Sequence, residues 1–133
     1  MDAQKAKASA QDSLARWSDI KGMVGLFAYE PAVILDAVRS SGRLNDVAIV
    51  GFDEDAATLQ GVLDGEIYGT VVQNPYEYGY QSVKLLAALL AADGETGRAA
   101  LVPEGGKIVV PARQIRKEDA RAFWDDLNAK LGK

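Results

Sequence analysis

The sequence predicts an α/β fold in which helices cover both faces of a mostly parallel sheet, in three layers. Short unbroken apolar runs, typical of strands buried on both faces, alternate four times with longer segments of helical character. The composition of the 133 residues, 48% apolar and 26% charged, is that of one globular domain. At this length a chain buries about two-thirds of its unfolded surface, which is enough for one core.

The first half of the chain contains three helices and two strands by this pattern. Residues 3–17 are rich in helix formers and predict a helix, and the apolar run MVGLFA at 23–28 predicts a strand. A helix follows over 32–42, between an opening proline and a closing glycine. The strand VAIVGF at 47–52 and a helix over 54–65 complete this half.

The second half repeats the alternation. Its elements are a strand over 67–73, a helix over 76–94 with Asn74 as candidate N-cap, a Gly-rich stretch over 94–106, a last strand in KIVVP at 107–111, and a helix over 117–131. A sheet of this kind is expected to bind its ligand at the carboxyl ends of its strands.

Several classes of chemistry are excluded by composition. The chain has no histidine and no cysteine, which rules out histidine-based acid/base catalysis, Ser-His-Asp and Cys-His nucleophiles, and zinc sites with nitrogen and sulfur ligands. Most enzyme chemistries are therefore excluded, and we expect a protein without catalytic activity and without a metal site.

Charge and hydropathy exclude further partners. The net charge is −4, and no cluster of four or more Lys or Arg occurs, so we expect no nucleic-acid partner. No apolar run approaches the roughly 20 residues of a spanning helix, and residues 1–12 lack the apolar core of a signal peptide.

Three predicted strands end in aromatic or hydrogen-bonding residues. These ends lie at 28–30, 51–54 and 72–74. Carboxylates and amides pair with hydroxyl groups while a ring covers an apolar C–H face, so this mixture suits a neutral polyhydroxylated ligand such as a sugar. The alternative is structural, with Asp53 and Asn74 as helix N-caps and Phe52 as part of the core.

Four sequence blocks carry a family resemblance. They are GMVGLFAYE at 22–30, VAIVGFD at 47–53, TLQGVLDG at 58–65 and GTVVQNPY at 69–76. In order and spacing they resemble the periplasmic sugar-binding proteins of ABC importers, of the ribose- and galactose-binding type. The resemblance covers nearly all of this chain but about half of a family member.

The resemblance implies a Rossmann-like lobe of a type I periplasmic binding protein. Residues 1–133 would be the C-terminal lobe of a two-lobe protein, with a lobe core at 1–73, a crossing helix and linker at 74–106, and a last strand and tail helix at 107–133. The parent would be extracytoplasmic and non-enzymatic, without a cofactor. Its partners would be a sugar, the missing N-terminal lobe and an ABC permease.

The resemblance also implies ligand-binding residues. Phe52 and Asp53 match the sugar-contacting Phe-Asp of the family, and Gln73 matches the glutamine at the third crossing between the lobes. Glu30 stands where the family usually has asparagine. A carboxylate only accepts hydrogen bonds, whereas an amide also donates them, so we expect either a different ligand or a reorganised pocket.

Two apolar segments lack a predicted partner within the chain. The helix over 76–94 is apolar on most sides, which indicates burial on more than one face. The last helix carries three apolar residues at helical spacing that also lack a predicted burial partner, namely Phe123, Trp124 and Leu127. We expect these segments to be covered by the missing lobe, by a rearrangement of the chain, or by exchange with a second copy in a homodimer.

Two other functions use related folds. An effector-binding domain of a lactose-repressor-type regulator shares the fold, although the block GTVVQNPYEYGY fits the importers better. A receiver-like enzyme could hold Mg²⁺ with Asp53, Glu54 and Asp55. It would also need a phosphate-accepting acid at the end of another strand and a lysine at a later strand end. The corresponding positions are Tyr29-Glu30 and Gln73-Asn74.

Overall fold

A computed structural model describes residues 2–132 of the chain. It contains six α-helices, a short 3₁₀ turn and four strands within that range. The helices are α1 (Ala3–Arg16), α2 (Glu30–Ser40), α3 (Ala56–Asp64), α4 (Pro75–Ala91), α5 (Gly94–Leu101) and α6 (Lys117–Leu131). The strands are β1 (Gly22–Val24), β2 (Ala48–Phe52), β3 (Gly69–Val72) and β4 (Arg113–Ile115).

The four strands form one mixed sheet in the order β1-β2-β3-β4. The first three strands are parallel, with Val24 opposite Val50 and Phe52 opposite Val71. Strand β4 runs antiparallel to β3 and places Ile115 opposite Thr70. The predicted α/β class with a mostly parallel sheet is confirmed.

One face of the sheet carries the core. Right-handed crossovers between neighbouring parallel strands place α2 and α3 on the same face. The side chains that point there from the strands, Ile49, Val72 and Ile115, are at most 4% exposed. On the alternate positions Val24, Ala48 and Gln114 are exposed, so burial is concentrated on a single face.

The chain divides into two compact units. Unit 1 comprises residues 1–72 and 113–133, and unit 2 comprises residues 73–112. Every member of the buried core cluster belongs to unit 1, and Phe123, Trp124 and Leu127 of α6 pack against it. Of the partners expected for these three residues, the structure shows one within the chain, since the core of their own unit covers them in part.

Unit 2 contains α4 and α5, and neither helix has a buried residue. Helix α5 lies in the Gly-rich stretch at 94–106, where the sequence pattern predicts no helix. Asn74 caps α4 as predicted, since its side-chain oxygen accepts a hydrogen bond from the Glu77 amide at 3.2 Å. Side chains of α4 such as Val83 and Leu90 are 67% and 84% exposed.

Two strand predictions differ from the structure. The run at 107–111 is not a strand, and β4 lies further on, at Arg113–Ile115. Pro111 has no amide hydrogen to donate to a ladder, which is consistent with pairing that begins only after it. The first strand is also shorter than predicted, because the amides of Leu26 and Phe27 donate to the side chain of Glu30 and not to a neighbouring strand.

Among residues 2–132, no helix has both the length and the apolar character needed to cross a membrane.

Candidate functional site

The carboxyl ends of β1, β2 and β3 form one edge of the sheet, because the three strands are parallel and neighbours. The segments that leave this edge begin at Gly25, Asp53 and Gln73. They are the strand ends at which the sequence predicts a ligand site.

The segment after β1 is held in place by Glu30. Atom Oε2 of its carboxylate accepts the Leu26 amide at 2.7 Å and the Phe27 amide at 3.2 Å. The amide of Glu30 in turn donates to the Phe27 carbonyl at 2.8 Å. A Cβ at Gly25 would lie 2.7 Å from the Pro31 nitrogen and 2.9 Å from the Glu30 Cβ, so the turn closes on itself too tightly for a larger residue.

This turn also presents an aromatic pair, which is not among the ligand-binding residues predicted from the sequence. The rings of Phe27 and Tyr29 are stacked, with centroids 6.3 Å apart and planes 12° apart. Phe27 is 50% exposed and Tyr29 is half-buried. The sequence pattern assigns Phe27 to the first strand, whereas β1 ends at Val24; Tyr29 lies within the predicted strand end at 28–30.

The segment after β2 carries Phe52 and Asp53, both half-buried. Asp53 has a φ of 66° and is the non-glycine residue with positive φ among those described. Its amide donates to the Val71 carbonyl at 2.9 Å, and its carbonyl accepts the Thr70 hydroxyl at 2.8 Å. The backbone of Asp53 is thus fixed to β3 in an unusual conformation, of a kind concentrated at functional sites.

Asp53 is not a helix N-cap. The N-cap of α3 is Asp55, whose carboxylate accepts the amides of Ala57 and Thr58 at 2.9 and 3.2 Å. The alternative prediction that Asp53 is a helix N-cap is therefore wrong. The corresponding prediction for Asn74 is confirmed, because Asn74 caps α4. No hydrogen bond to the Asp53 carboxylate is made within residues 2–132.

Glu54, the next residue, has a carboxyl group with a raised pKa. Burial raises the pKa of its carboxyl group, and the neighbouring Asp53 carboxylate raises it further. The segments 25–31 and 51–55 contain Glu30, Asp53, Glu54 and Asp55 and no Lys or Arg. Electrostatically, this part of the sheet edge favours groups that donate hydrogen bonds.

Gln73 follows β3 directly, and its side chain is exposed. It is the first residue of unit 2, whereas Glu30, Phe52 and Asp53 belong to unit 1. Within unit 1, a Cβ added to Gly51 would approach Pro31 to 2.7 Å, so the turn containing Glu30 is packed beside the strand that ends in Phe52.

A separate hollow of unit 1 lies toward the other end of the strands. It has a volume of about 150 Å³ and is lined in part by Tyr68, Gly69 and Arg116. The Arg116 guanidinium stands 3.8 Å from the centre of the Tyr68 ring. This hollow contains none of the predicted site residues. In the part of the chain that the structure describes, no group of three or more acidic side chains could hold a metal ion.

Comparison with known proteins identifies the family. Residues 1–96 match the model of the periplasmic binding protein domain, and the chain belongs to this family. A comparison with curated proteins found no match.

Solved structures of sugar-binding proteins share the fold. GanP, a glucose-galactose binding protein from Geobacillus stearothermophilus, is 28% identical with a TM-score of 0.69, over 90% of this chain and 39% of GanP. AraP, an arabinose binding protein from the same organism, is 25% identical with a TM-score of 0.79, over 92% and 42%.

An ABC transporter solute binding protein from Agrobacterium vitis, bound with alpha-D-tagatopyranose, is 27% identical with a TM-score of 0.70. The match covers 89% of this chain and 37% of that protein. The chain thus spans about two-fifths of the length of these relatives.

Proposed function

We propose that residues 1–133 are the C-terminal lobe of an extracytoplasmic sugar receptor that serves an ABC transporter. The receptor binds its ligand without catalysis and needs no cofactor. Family membership supports the class, and the three relatives described above are named for sugars or carry one. The same comparisons favour the receptor over the repressor alternative.

The observation that carries the proposal is that Glu30 and Asp53 follow two neighbouring parallel strands at the same edge of the sheet. The backbone of Asp53 is fixed by two hydrogen bonds to β3, and that of Glu30 is fixed by its turn. Rigid elements of this kind position ligand-binding groups well. Asp53, Glu30 and Gln73 would pair with sugar hydroxyl groups, and Phe52 would contact the apolar face of the ring.

The chain by itself forms only part of this receptor in our proposal. The missing N-terminal lobe would supply the opposite side of the ligand site, and closure of the two lobes would hold the sugar. The permease would contact the complete receptor. Affinity of the isolated chain is therefore expected to be weak, in the millimolar range.

The exposed apolar side chains of α4 support a partner for that helix. Val83, Leu86 and Leu90 are each at least 60% exposed, and monomers rarely leave such stripes uncovered. The missing lobe would cover them in the receptor, and exchange of elements with a second copy would do so in the isolated chain. Sedimentation as a monomer that binds no hydrophobic dye contradicts this exchange.

The ligand proposal is tested by titrating the chain with D-galactose, L-arabinose and D-tagatose while amide NMR spectra are recorded. At least one sugar is expected to shift amides of residues 25–31 and 51–54. Asp53→Ala should weaken that binding about tenfold, because a charged hydrogen-bond acceptor is lost. Asp46→Ala, at an exposed turn before β2, is the matched control.

Two outcomes contradict the proposal in different ways. If no sugar shifts these amides, or if Asp53→Ala binds as the wild type does, the sheet edge is not a sugar site. Micromolar affinity of the isolated chain would instead show that the site is complete without a second lobe.

A further inference from the structure

The carboxylate of Glu30 uses its two oxygens differently. Oε2 accepts both the Leu26 and the Phe27 amides, whereas no hydrogen bond to Oε1 is made within the described residues. Oε2 thus closes the turn after β1. Oε1 remains available as an acceptor, on a side chain whose rotation the two bonds to Oε2 restrict.

The surroundings fix the position of this carboxylate. Its own amide is bonded to the Phe27 carbonyl, and the turn packs so closely that Gly25 has no room for a Cβ beside Glu30. The stacked rings of Phe27 and Tyr29 stand on the same turn. A half-buried acceptor and an aromatic pair therefore share one turn, at the sheet edge where the proposed ligand binds.

We propose that Glu30 is the specificity-determining residue of this lobe: Oε2 clamps the turn, and Oε1 requires the ligand to donate a hydrogen bond. This inference rests on the proposed function and names the ligand class more narrowly. Neutral sugars can donate a hydroxyl to Oε1, and amino sugars can donate an ammonium group. Sugars that present a carboxylate here are repelled, since two acceptors cannot pair.

Neighbouring charges act in the same direction. Asp53 and Glu54 follow β2, and neither the turn after β1 nor the segment 51–55 has a cation. A ligand anion would have to enter this field without a countercharge from either segment, which is costly at a partly desolvated site. These carboxylates strengthen the preference, but the bonded geometry of Glu30 sets it.

The variant Glu30→Gln separates the two oxygens. Two amide N–H donors require an acceptor, so the amide oxygen of Gln must take the place of Oε2. The amide nitrogen is then left where Oε1 was. The turn is preserved while the group offered to the ligand changes from an acceptor to a donor. Glu30→Ala removes both functions.

Clamping is measured first, by hydrogen exchange of the Leu26 and Phe27 amides in the free chain. Protection is expected in the wild type and in Glu30→Gln, and its loss is expected in Glu30→Ala. Equal exchange rates in all three proteins would show that Oε2 does not hold the turn, whether or not the chain binds sugar.

Selectivity is measured next, by titrating the chain with D-galactosamine and D-galacturonate below neutral pH, where the amine is protonated. The wild type is expected to favour the amine at least about tenfold, as is typical of a charge-assisted hydrogen bond. Glu30→Gln should reduce that ratio about tenfold. Glu54→Gln, which removes a neighbouring charge but leaves the clamp, should change it much less.

The outcomes distinguish this inference from the proposed function. If neutral sugars bind and depend on Asp53 but the amine-to-acid ratio is unchanged in Glu30→Gln, the inference is wrong and the receptor proposal stands. An equal change in Glu54→Gln would assign the preference to the general field and not to Glu30. If no sugar of any kind binds, both proposals are overturned.

Discussion

Helices α3 and α4 show how differently the two units use apolar residues. In unit 1, Leu59 and Val62 of α3 are fully buried. In unit 2, no residue of α4 is buried, and Leu90 remains 84% exposed. Burial of apolar area is the main stabilising term in folding. We therefore expect unit 1 to carry most of the stability of the isolated chain, and unit 2 to open at lower free energy.

The largest expected difference in the free energy of unfolding comes from truncating a leucine to alanine in each unit. Leu59→Ala should lower the free energy of unfolding by about 3 kcal/mol, because it leaves a cavity in the core. Leu90→Ala should change it by less than about 0.5 kcal/mol, since the side chain is already exposed. Chemical denaturation followed by circular dichroism measures both. Similar losses in the two variants would mean that α4 is buried in solution.

An intermediate effect is expected at Arg43, which joins helix α1 to the rest of unit 1. Its guanidinium donates to the carbonyls of Leu14, Trp17, Ser18 and Ile20, at 2.7 to 3.3 Å. These carbonyls belong to the last turn of α1 and to the segment that follows it, and a helix leaves its last carbonyls without partners inside the helix. Arg43→Met should cost about 2 kcal/mol, the scale of hydrogen bonds to a charged donor.

The matched position in unit 2 is Arg98, which donates to one carbonyl, that of Leu89, at 3.3 Å. Arg98 is exposed, so Arg98→Met should have almost no effect on the unfolding midpoint. Arg43→Lys is a further control, because an ammonium group cannot reach four carbonyls at once. A lysine variant as stable as the wild type would contradict the geometric explanation.

The smallest expected effect concerns pH and the sheet edge of unit 1. The pKa of Glu54 is raised in the folded chain, chiefly by burial and then by Asp53. The folded state therefore holds this proton at pH values where the unfolded state has released it. Stability from this group is lost as pH rises from the usual titration range of glutamate through the raised pKa.

Glu54→Gln removes that penalty, so the variant should be slightly more stable than the wild type at neutral pH. The difference should shrink or vanish in acid, where both side chains are uncharged. Solvent screening limits the effect, because the group is only partly buried. Unfolding midpoints at the two pH values test this expectation, and a variant less stable than the wild type at neutral pH would contradict its sign.

Most elements of the fold could be predicted from local pattern. The parallel strands β2 and β3, the left-handed Gly65 that ends α3, and the capping Asn74 all follow from periodicity and turn chemistry. The apolar run at 107–111 was misassigned, because its local pattern suits a strand. Whether a strand forms there depends on a free edge at which its amides can pair, which local sequence does not specify.

The sequence predicted where the candidate site residues lie at the strand ends, and their role as ligand-binding residues stays a prediction. The positions of Glu30, Phe52, Asp53 and Gln73 at strand ends follow from the parallel pattern, and whether they bind a sugar stays a prediction. Tyr29 lies within the strand end predicted at 28–30, but its stacking with Phe27 does not follow from the sequence pattern, which assigns Phe27 to β1. Strand β1 ends because the carboxylate of Glu30 accepts the amides of Leu26 and Phe27. The apolar pattern of the sequence does not reveal this interaction.

The sequence by itself determined the order of the elements, the edge at which polar residues collect, and the absence of histidine and cysteine chemistry. These properties depend on local periodicity and on composition. Only the tertiary structure decided that α6 packs against the core of unit 1 while α4 stays exposed. It also decided which oxygen of the Glu30 carboxylate accepts hydrogen bonds from the backbone of the turn. Both depend on contacts between elements, and the energies of such contacts arise only when the chain is folded.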